Sequence, residues 1–139
     1  MAHFSKLDDD NVVTEVIVIA NADLHFLDYP SSEGLGIQIC RNLTNHQKWK
    51  QTSYNGNFRN IYGAIGCTYD EARDVFVPSQ PFASWTLNQT TNEWEAPTAF
   101  PTSTESDNDE PMSVFWDEDN LRWANQFNQY WNTETSQWS

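Results

Sequence analysis

Positive charge is scarce in this chain: 7 Lys and Arg stand against 20 Asp and Glu, a formal net charge of -13 over 139 residues. A surface of that sign repels nucleic-acid phosphates and anionic lipid headgroups, so neither nucleic acid nor a membrane is an expected partner. Cysteine is nearly absent too. Cys40 and Cys67 read as two buried thiols, because a lone pair without a secretory signal does not resemble a disulfide framework. No apolar run approaches the length of a membrane span, and the opening MAHFSKLDDD turns acidic before any signal-peptide core. The expectation is a chain made and kept in a cytosol, with the sequons at Asn42 and Asn88 coincidental.

The residue patterns that carry most chemistry are missing as well. His3, His25 and His46 are widely separated, and no H-x-x-x-H, C-x-x-C or Ser–His–Asp ordering occurs. Gly34-Leu35-Gly36 lacks the third glycine, the lysine and the preceding strand of a phosphate loop. The carboxylates of Asp117-Glu118-Asp119 and of the segment 102–111 do not form a calcium loop with its required glycine and terminal glutamate. No catalytic residue, metal ligand or cofactor site is therefore expected, and the chain reads as a binding or structural protein.

Large aliphatic residues are also few, and rings take their place: Trp 7, Phe 8 and Tyr 5 make 14% of the chain. A core of rings points to strands and turns. Residues 2–7, the polar turn Asp8–Asn11 and the β-branched run 12–20 predict an antiparallel hairpin whose second strand is buried on both faces. Ser31 or Ser32 can cap a short helix through about Leu43, with Leu35, Ile39 and Leu43 on one face. The stretch from Trp49 to Tyr69 carries Asn55-Gly56-Asn57 between aromatic runs and predicts a hairpin closed by a type I′ turn at Asn55-Gly56.

From Tyr69 onward a polar turn is repeatedly bracketed by aromatics: Tyr69 and Phe76, Trp85 and Trp94, Trp116 and Trp123, Trp131 and Trp138. These spacings let rings face each other across short hairpins. Such rings staple the fold, or stack on sugars, or dock on a partner protein. The fold class that follows is mainly β with one short helix (α+β): a small antiparallel-sheet domain followed by aromatic-stapled β-hairpin repeats. Residues 1–101 are expected to form a compact domain with the first two aromatic hairpins, 102–111 an acidic linker, and 112–139 a tail with two Trp-bracketed hairpins. Candidate partner-binding residues are Tyr54, Arg59, Trp85, Trp94, Trp116, Trp123, Trp131 and Trp138.

The segments MAHFSKLDDDNVVTEVIVIANADL, WKQTSYNGNFRNIYGAIGCTYD, PFASW and WEAP together resemble a family of small proteins of tailed bacteriophages, of the marine type that infects cyanobacteria. The resemblance covers residues 1 to about 100 and implies a late-expressed virion structural protein, assembled in the host cytoplasm. On that footing the expected role is a capsid decoration or accessory protein on the particle exterior. The alternative is a tail or tail-fibre component whose aromatic hairpins contact protein or host-surface glycan. Other virion proteins are the implied partners, and self-association into a homo-oligomer is open.

Overall fold

A computed structural model describes residues 1–106 and 110–139, and the chain divides into two compact units, Met1–Ser79 and Gln80–Ser139. The architecture is mainly β with one α-helix, built from small antiparallel sheets. The division falls at Ser79/Gln80 and not near residue 101, so the hairpin around Trp94 goes with the C-terminal unit. Packing explains this, since Phe82, Trp85 and Ala96 lie against a cluster of Trp116, Trp123 and Trp131. Of the expected linker 102–111, residues 107–109 lie outside the described residues. Its flanks are hydrogen-bonded within the unit: the Trp138 indole donates to the Ser103 carbonyl at 2.8 Å and the Gln126 amide to the Pro111 carbonyl at 2.7 Å.

In the N-terminal unit, strands β1 (Ala2–Leu7), β2 (Val13–Ile19) and β3 (Trp49–Thr52) form an antiparallel sheet in the order β2-β1-β3. The β1–β2 turn starts at Asp8, whose Oδ1 accepts the N–H groups of Asp10 and Val12 at 2.9 Å. The strand expected to be buried on both faces, β2, is instead an edge, and Val18 is 48% exposed. The reason is topological. The helix α1 (Glu33–Thr44) returns the chain so that β3 pairs with the free side of β1, making the more polar AHFSKL the central strand.

Phe4 of β1 is fully buried among Ile19, Leu24, Cys40 and Trp49. The helix meets it through Gly36, where an added Cβ would lie 2.0 Å from the Phe4 ring. That glycine permits helix and sheet to approach closely, which outweighs its cost to the helix of roughly 1 kcal/mol relative to Ala. The buried face of α1 is thus Gly36 and Cys40, flanked by Leu35, Ile37 and Ile39, while Leu43 is 69% exposed and leaves the expected stripe. Ser32 occupies the N-cap position without capping, because its hydroxyl donates to Oε1 of Gln51 on β3 at 2.8 Å. On the other face of the sheet Leu7 and Val13 pack with Tyr69 and Phe76, which belong to the hairpin of β4 (Thr68–Asp70) and β5 (Val75–Val77).

The hairpin expected within Trp49–Tyr69 does not form. Its first half, β3, pairs with β1, and the residues after it run as irregular turns. The Gly56 N–H closes a turn onto the Ser53 carbonyl at 3.0 Å, and Gly56 (φ 67°) but not Asn55 has positive φ. A type I′ turn requires positive φ at both central residues, so Asn55-Gly56 is not one. Phe58 stacks on Tyr29 at 3.7 Å, and Arg59 and Asn60 adopt left-handed φ of 56° and 73°. Those side-chain engagements take the place of a second strand.

Among its described residues the C-terminal unit has three hairpins: β6 (Thr86–Asn88) with β7 (Glu93–Glu95), β8 (Val114–Asp117) with β9 (Arg122–Asn125), and β10 (Trp131–Asn132) with β11 (Gln137–Trp138). With β4–β5 they share one design. An Asx residue ends the first strand, and its side chain accepts backbone N–H groups of the loop: Asp70 from Arg73, Asn88 from Thr90 and Thr91, Asp117 from Asn120, Asn132 from Glu134 and Thr135. Each loop ends on a left-handed residue, Asp74, Asn92, Leu121 or Ser136, with φ between 52° and 61° across the set. The Asx acceptor and the left-handed turn together reverse the chain without glycine.

This geometry places residues seven apart opposite each other: Tyr69 with Phe76, Trp116 with Trp123, Trp131 with Trp138. Trp85 and Trp94, nine apart, are not a pair; Trp94 faces Leu87, and Trp85 precedes its strand. The loop length, conserved among the four hairpins, selects Leu87 over the larger ring.

Candidate functional site

Three places gather the residues with binding potential: a charged brace and a tyrosine corner in the N-terminal unit, and an aromatic cluster in the C-terminal unit. The brace is centred on Arg59, which has a left-handed backbone and a side chain only 6% exposed. The guanidinium pairs with both Glu33 oxygens, the Oε2 contact through Nη1 and the Oε1 contact through Nη2 at 3.1 Å. Its Nε donates to Oδ1 of Asp74 at 2.7 Å, and Nη1 also donates to the Gln51 carbonyl at 2.9 Å. Tyr69 donates its hydroxyl to the same Asp74 oxygen, and the guanidinium lies 5.2 Å from the Tyr29 ring centre and 5.7 Å from that of Tyr69.

The electrostatics of the brace are closed. Burial alone would lower the Arg59 pKa, but the hydrogen bonds and charges of Glu33 and Asp74 outweigh it and raise it. Asp74 is opposed by burial yet held below the usual carboxylate range by the hydrogen bonds from Tyr69 and Arg59. Burial, then the hydrogen bond to Asp74, raises the Tyr69 phenol, which stays protonated and donating. Each nitrogen of the guanidinium donates to a partner within the unit, so Arg59, a candidate for an anionic partner group, instead locks the helix start, β3 and the β4–β5 hairpin together.

Tyr54 is 66% exposed and stacks on His3 at 5.5 Å, with Tyr62 edge-on at 5.2 Å. This corner adjoins a polar groove of about 490 Å³ lined in part by Asp28, Ser53, Asn55 and Asn57. His46 bonds to the Leu7 carbonyl at 2.6 Å through Nε2. The cysteines are not bonded to each other, and burial pushes the Cys40 thiol up to about 11, which keeps it protonated and poorly nucleophilic. Among the described residues no group of three or more His, Cys, Asp and Glu side chains is placed to hold a metal ion, and no helix is long and apolar enough to cross a membrane.

In the C-terminal unit the candidate tryptophans separate into two kinds. Trp116, Trp123 and Trp131 are buried, with Trp116 and Trp123 edge-to-face at 5.0 Å. Trp116 donates its indole N–H to Glu118 at 2.7 Å and Trp123 donates to the Thr98 carbonyl at 2.9 Å, so both polar handles are satisfied. Trp138 packs on Trp131 at 5.3 Å. These rings are staples and core. Trp85 and Trp94 are half-buried and, with Phe100 and one side of Trp123, line a groove of about 520 Å³ that also carries Glu95 and Thr98. The Trp85 indole nitrogen is buried without a hydrogen-bond acceptor among the described residues.

Phe100, 55% exposed and edge-on to Trp123 at 5.1 Å, belongs to this surface and was not among the residues singled out from the sequence. Its signal was present in the Pro-bearing connector WEAPTAFP, where a ring beside prolines has no strand partner to cover it. Comparison with known proteins finds no matching family model, no matching curated protein and no matching solved structure.

Proposed function

We propose that the protein is a non-enzymatic accessory component of a tailed-phage particle, with the capsid exterior as its seat. The observation that carries the non-enzymatic part is the Arg59 brace: Arg59, Glu33 and Asp74 are paired with one another, and they fasten elements of the fold together. The phage setting rests on the sequence resemblance of residues 1 to about 100. An acidic surface with a net charge of -13 suits a subunit that faces solvent and remains soluble at high local density. Gel densitometry of purified particles tests the reading: hundreds of copies per particle are expected, and absence from the particle overturns it.

The groove of Trp85, Trp94, Phe100 and Trp123 favours a second reading, a tail or fibre component that stacks sugar rings of a host-surface glycan. Copy numbers of about a dozen or fewer would fit this alternative. Its own check is a glycan array probed with the wild type and with Phe100→Ala and Trp94→Ala; signal lost in both variants supports it, and equal signal in all three removes the groove as the platform.

A further inference from the structure

The two edges of the N-terminal sheet are treated differently. The Leu7 N–H donates to the Lys48 carbonyl across the β1–β3 ladder, so Leu7, Ser5 and His3 direct their backbone groups toward β3, and Phe4 and Lys6 direct theirs toward β2. It follows that Gln51, opposite Phe4, directs its groups outward from β3. Both are capped there: Glu33 accepts the Gln51 N–H at 2.8 Å and Arg59 donates to its carbonyl at 2.9 Å.

On β2 the same alternation turns Ile17 and Glu15, opposite Phe4 and Lys6, inward, and Val16 and Val18 outward. A bulge at Lys6/Leu7 shifts the pattern, and Val13 is outward-facing, bonded to the 66–67 segment through Cys67 and Gly66. Beyond that bridge no strand pairs with the outer side of β2 among the described residues. Free edges are ordinarily blunted by lysine, proline or a bulge along their length, whereas residues 14–19 read TEVIVI, with Glu15 as their one charge.

We propose that this edge is a self-association surface, where β2 of a second copy of the chain adds antiparallel about a twofold axis at Ile17. In that register Val16 faces Val18 of the other copy and the outward groups of both residues exchange bonds, N–H to carbonyl in each direction. The pattern is self-complementary, as an isologous interface requires. The register centred on Val18 would need the Ala20 carbonyl, which already accepts the Asp23 N–H at 3.0 Å. Facing side chains are Val with Val and Ile with Ile, pairs that suit a cross-strand contact. Glu15 lies across from Ile19, so the two copies of Glu15 do not meet, and the interface avoids the acidic charge that dominates the rest of the surface. Two sheets of three strands would become one continuous sheet.

The test is light scattering on the full chain across a dilution series, combined with amide hydrogen exchange. The wild type is expected to reach twice its 16.1 kDa mass at high concentration and to dissociate on dilution, with exchange at Val16 and Val18 slowing as the dimer forms. Val18→Pro removes an outward N–H while leaving the β1–β2 ladder intact, a placement that edge strands tolerate. It should weaken the dimer at least about tenfold. Val18→Lys, which leaves the backbone donor in place but charges the edge, should weaken it in the same direction and covers the case in which the proline variant misfolds. A wild type that stays monomeric throughout, a dimer unaffected by Val18→Lys, or protection that develops away from β2 would each overturn the proposal.

Discussion

The two units reach stability by opposite routes. In Met1–Ser79 the decisive contacts join distant parts of the chain: β1 pairs with β3 from His3–Thr52 to Lys6–Trp49, Phe4 meets Gly36, and Arg59 joins Glu33 to Asp74. In Gln80–Ser139 each hairpin closes on itself within a few residues, and a shared cluster of tryptophans is the main long-range element. A hairpin alone is marginal in water, so the Trp cluster makes the C-terminal unit cooperative, much as Phe4 does for the N-terminal one. Identical loop chemistry serves two different cores. The β4–β5 hairpin has the same Asx-started loop as its C-terminal counterparts, yet its rings Tyr69 and Phe76 pack on the aliphatic Leu7 and Val13.

Removing the central ring of each core has the largest expected effect. Phe4→Ala and Trp123→Ala should each destabilise by about 3–5 kcal/mol, measured by chemical denaturation followed separately by amide exchange in the two units. If the cores are as distinct as their contacts, each variant deprotects its own unit first. A smaller effect isolates the brace: Arg59→Lys keeps the charge but loses the fork to Glu33 and Asp74, and a loss of about 2–3 kcal/mol is expected in urea unfolding. A neutral result would mean that the aliphatic core, and not the brace, fastens the helix start to β3.

Acid should discriminate the units further. Asp74 has a folded pKa below its ordinary value of 3.8, so its contribution is fully present above that value and is lost as the pH falls through the lower folded pKa. The carboxylate is about half exposed, so only about 1 kcal/mol is expected from it after screening. Asp74→Asn should flatten the acid limb of the N-terminal unit's stability curve; an unchanged limb in the variant refutes the linkage. The smallest effect concerns the loops. Asn132→Ala removes the acceptor for the Glu134 and Thr135 N–H groups, and thermal unfolding should report a loss of about 1 kcal/mol or less, confined to the last hairpin.

Much of the C-terminal unit was legible because its signals are local. A large side chain, an Asp or Asn, a short polar loop and an aromatic make each of these hairpins, and three of the four predicted ring pairs face each other, two in this unit and Tyr69 with Phe76 in the N-terminal one. Trp85 and Trp94 misled because both are rings; the loop counts residues and not side-chain type, so Leu87 took the partner's place. In the stretch from Trp49 to Tyr69 the reading failed for the converse reason. Asn55-Gly56 is a strong turn signal, but the strand on one side of it had a better partner in β1, and Phe58 and Arg59 on the other side are drawn to Tyr29, Glu33 and Asp74. Of the candidate binding residues, the sequence showed that they are rings and one guanidinium, not which of them are covered.

By itself, the sequence determined the acidic surface, the α+β class, the first hairpin and the rhythm of the later ones, since net charge is additive and hairpin loops close over a handful of residues. Tertiary structure decided that β1 is central and β2 an edge, that Arg59 is a buried brace, and that Trp85, Trp94 and Phe100 line the groove with one side of Trp123 while Trp116 and Trp131 are buried away from it. Those outcomes depend on competition among distant segments for the same hydrogen-bond edge or apolar face. Such a competition is resolved by the free energy of the whole unit, which no local window contains.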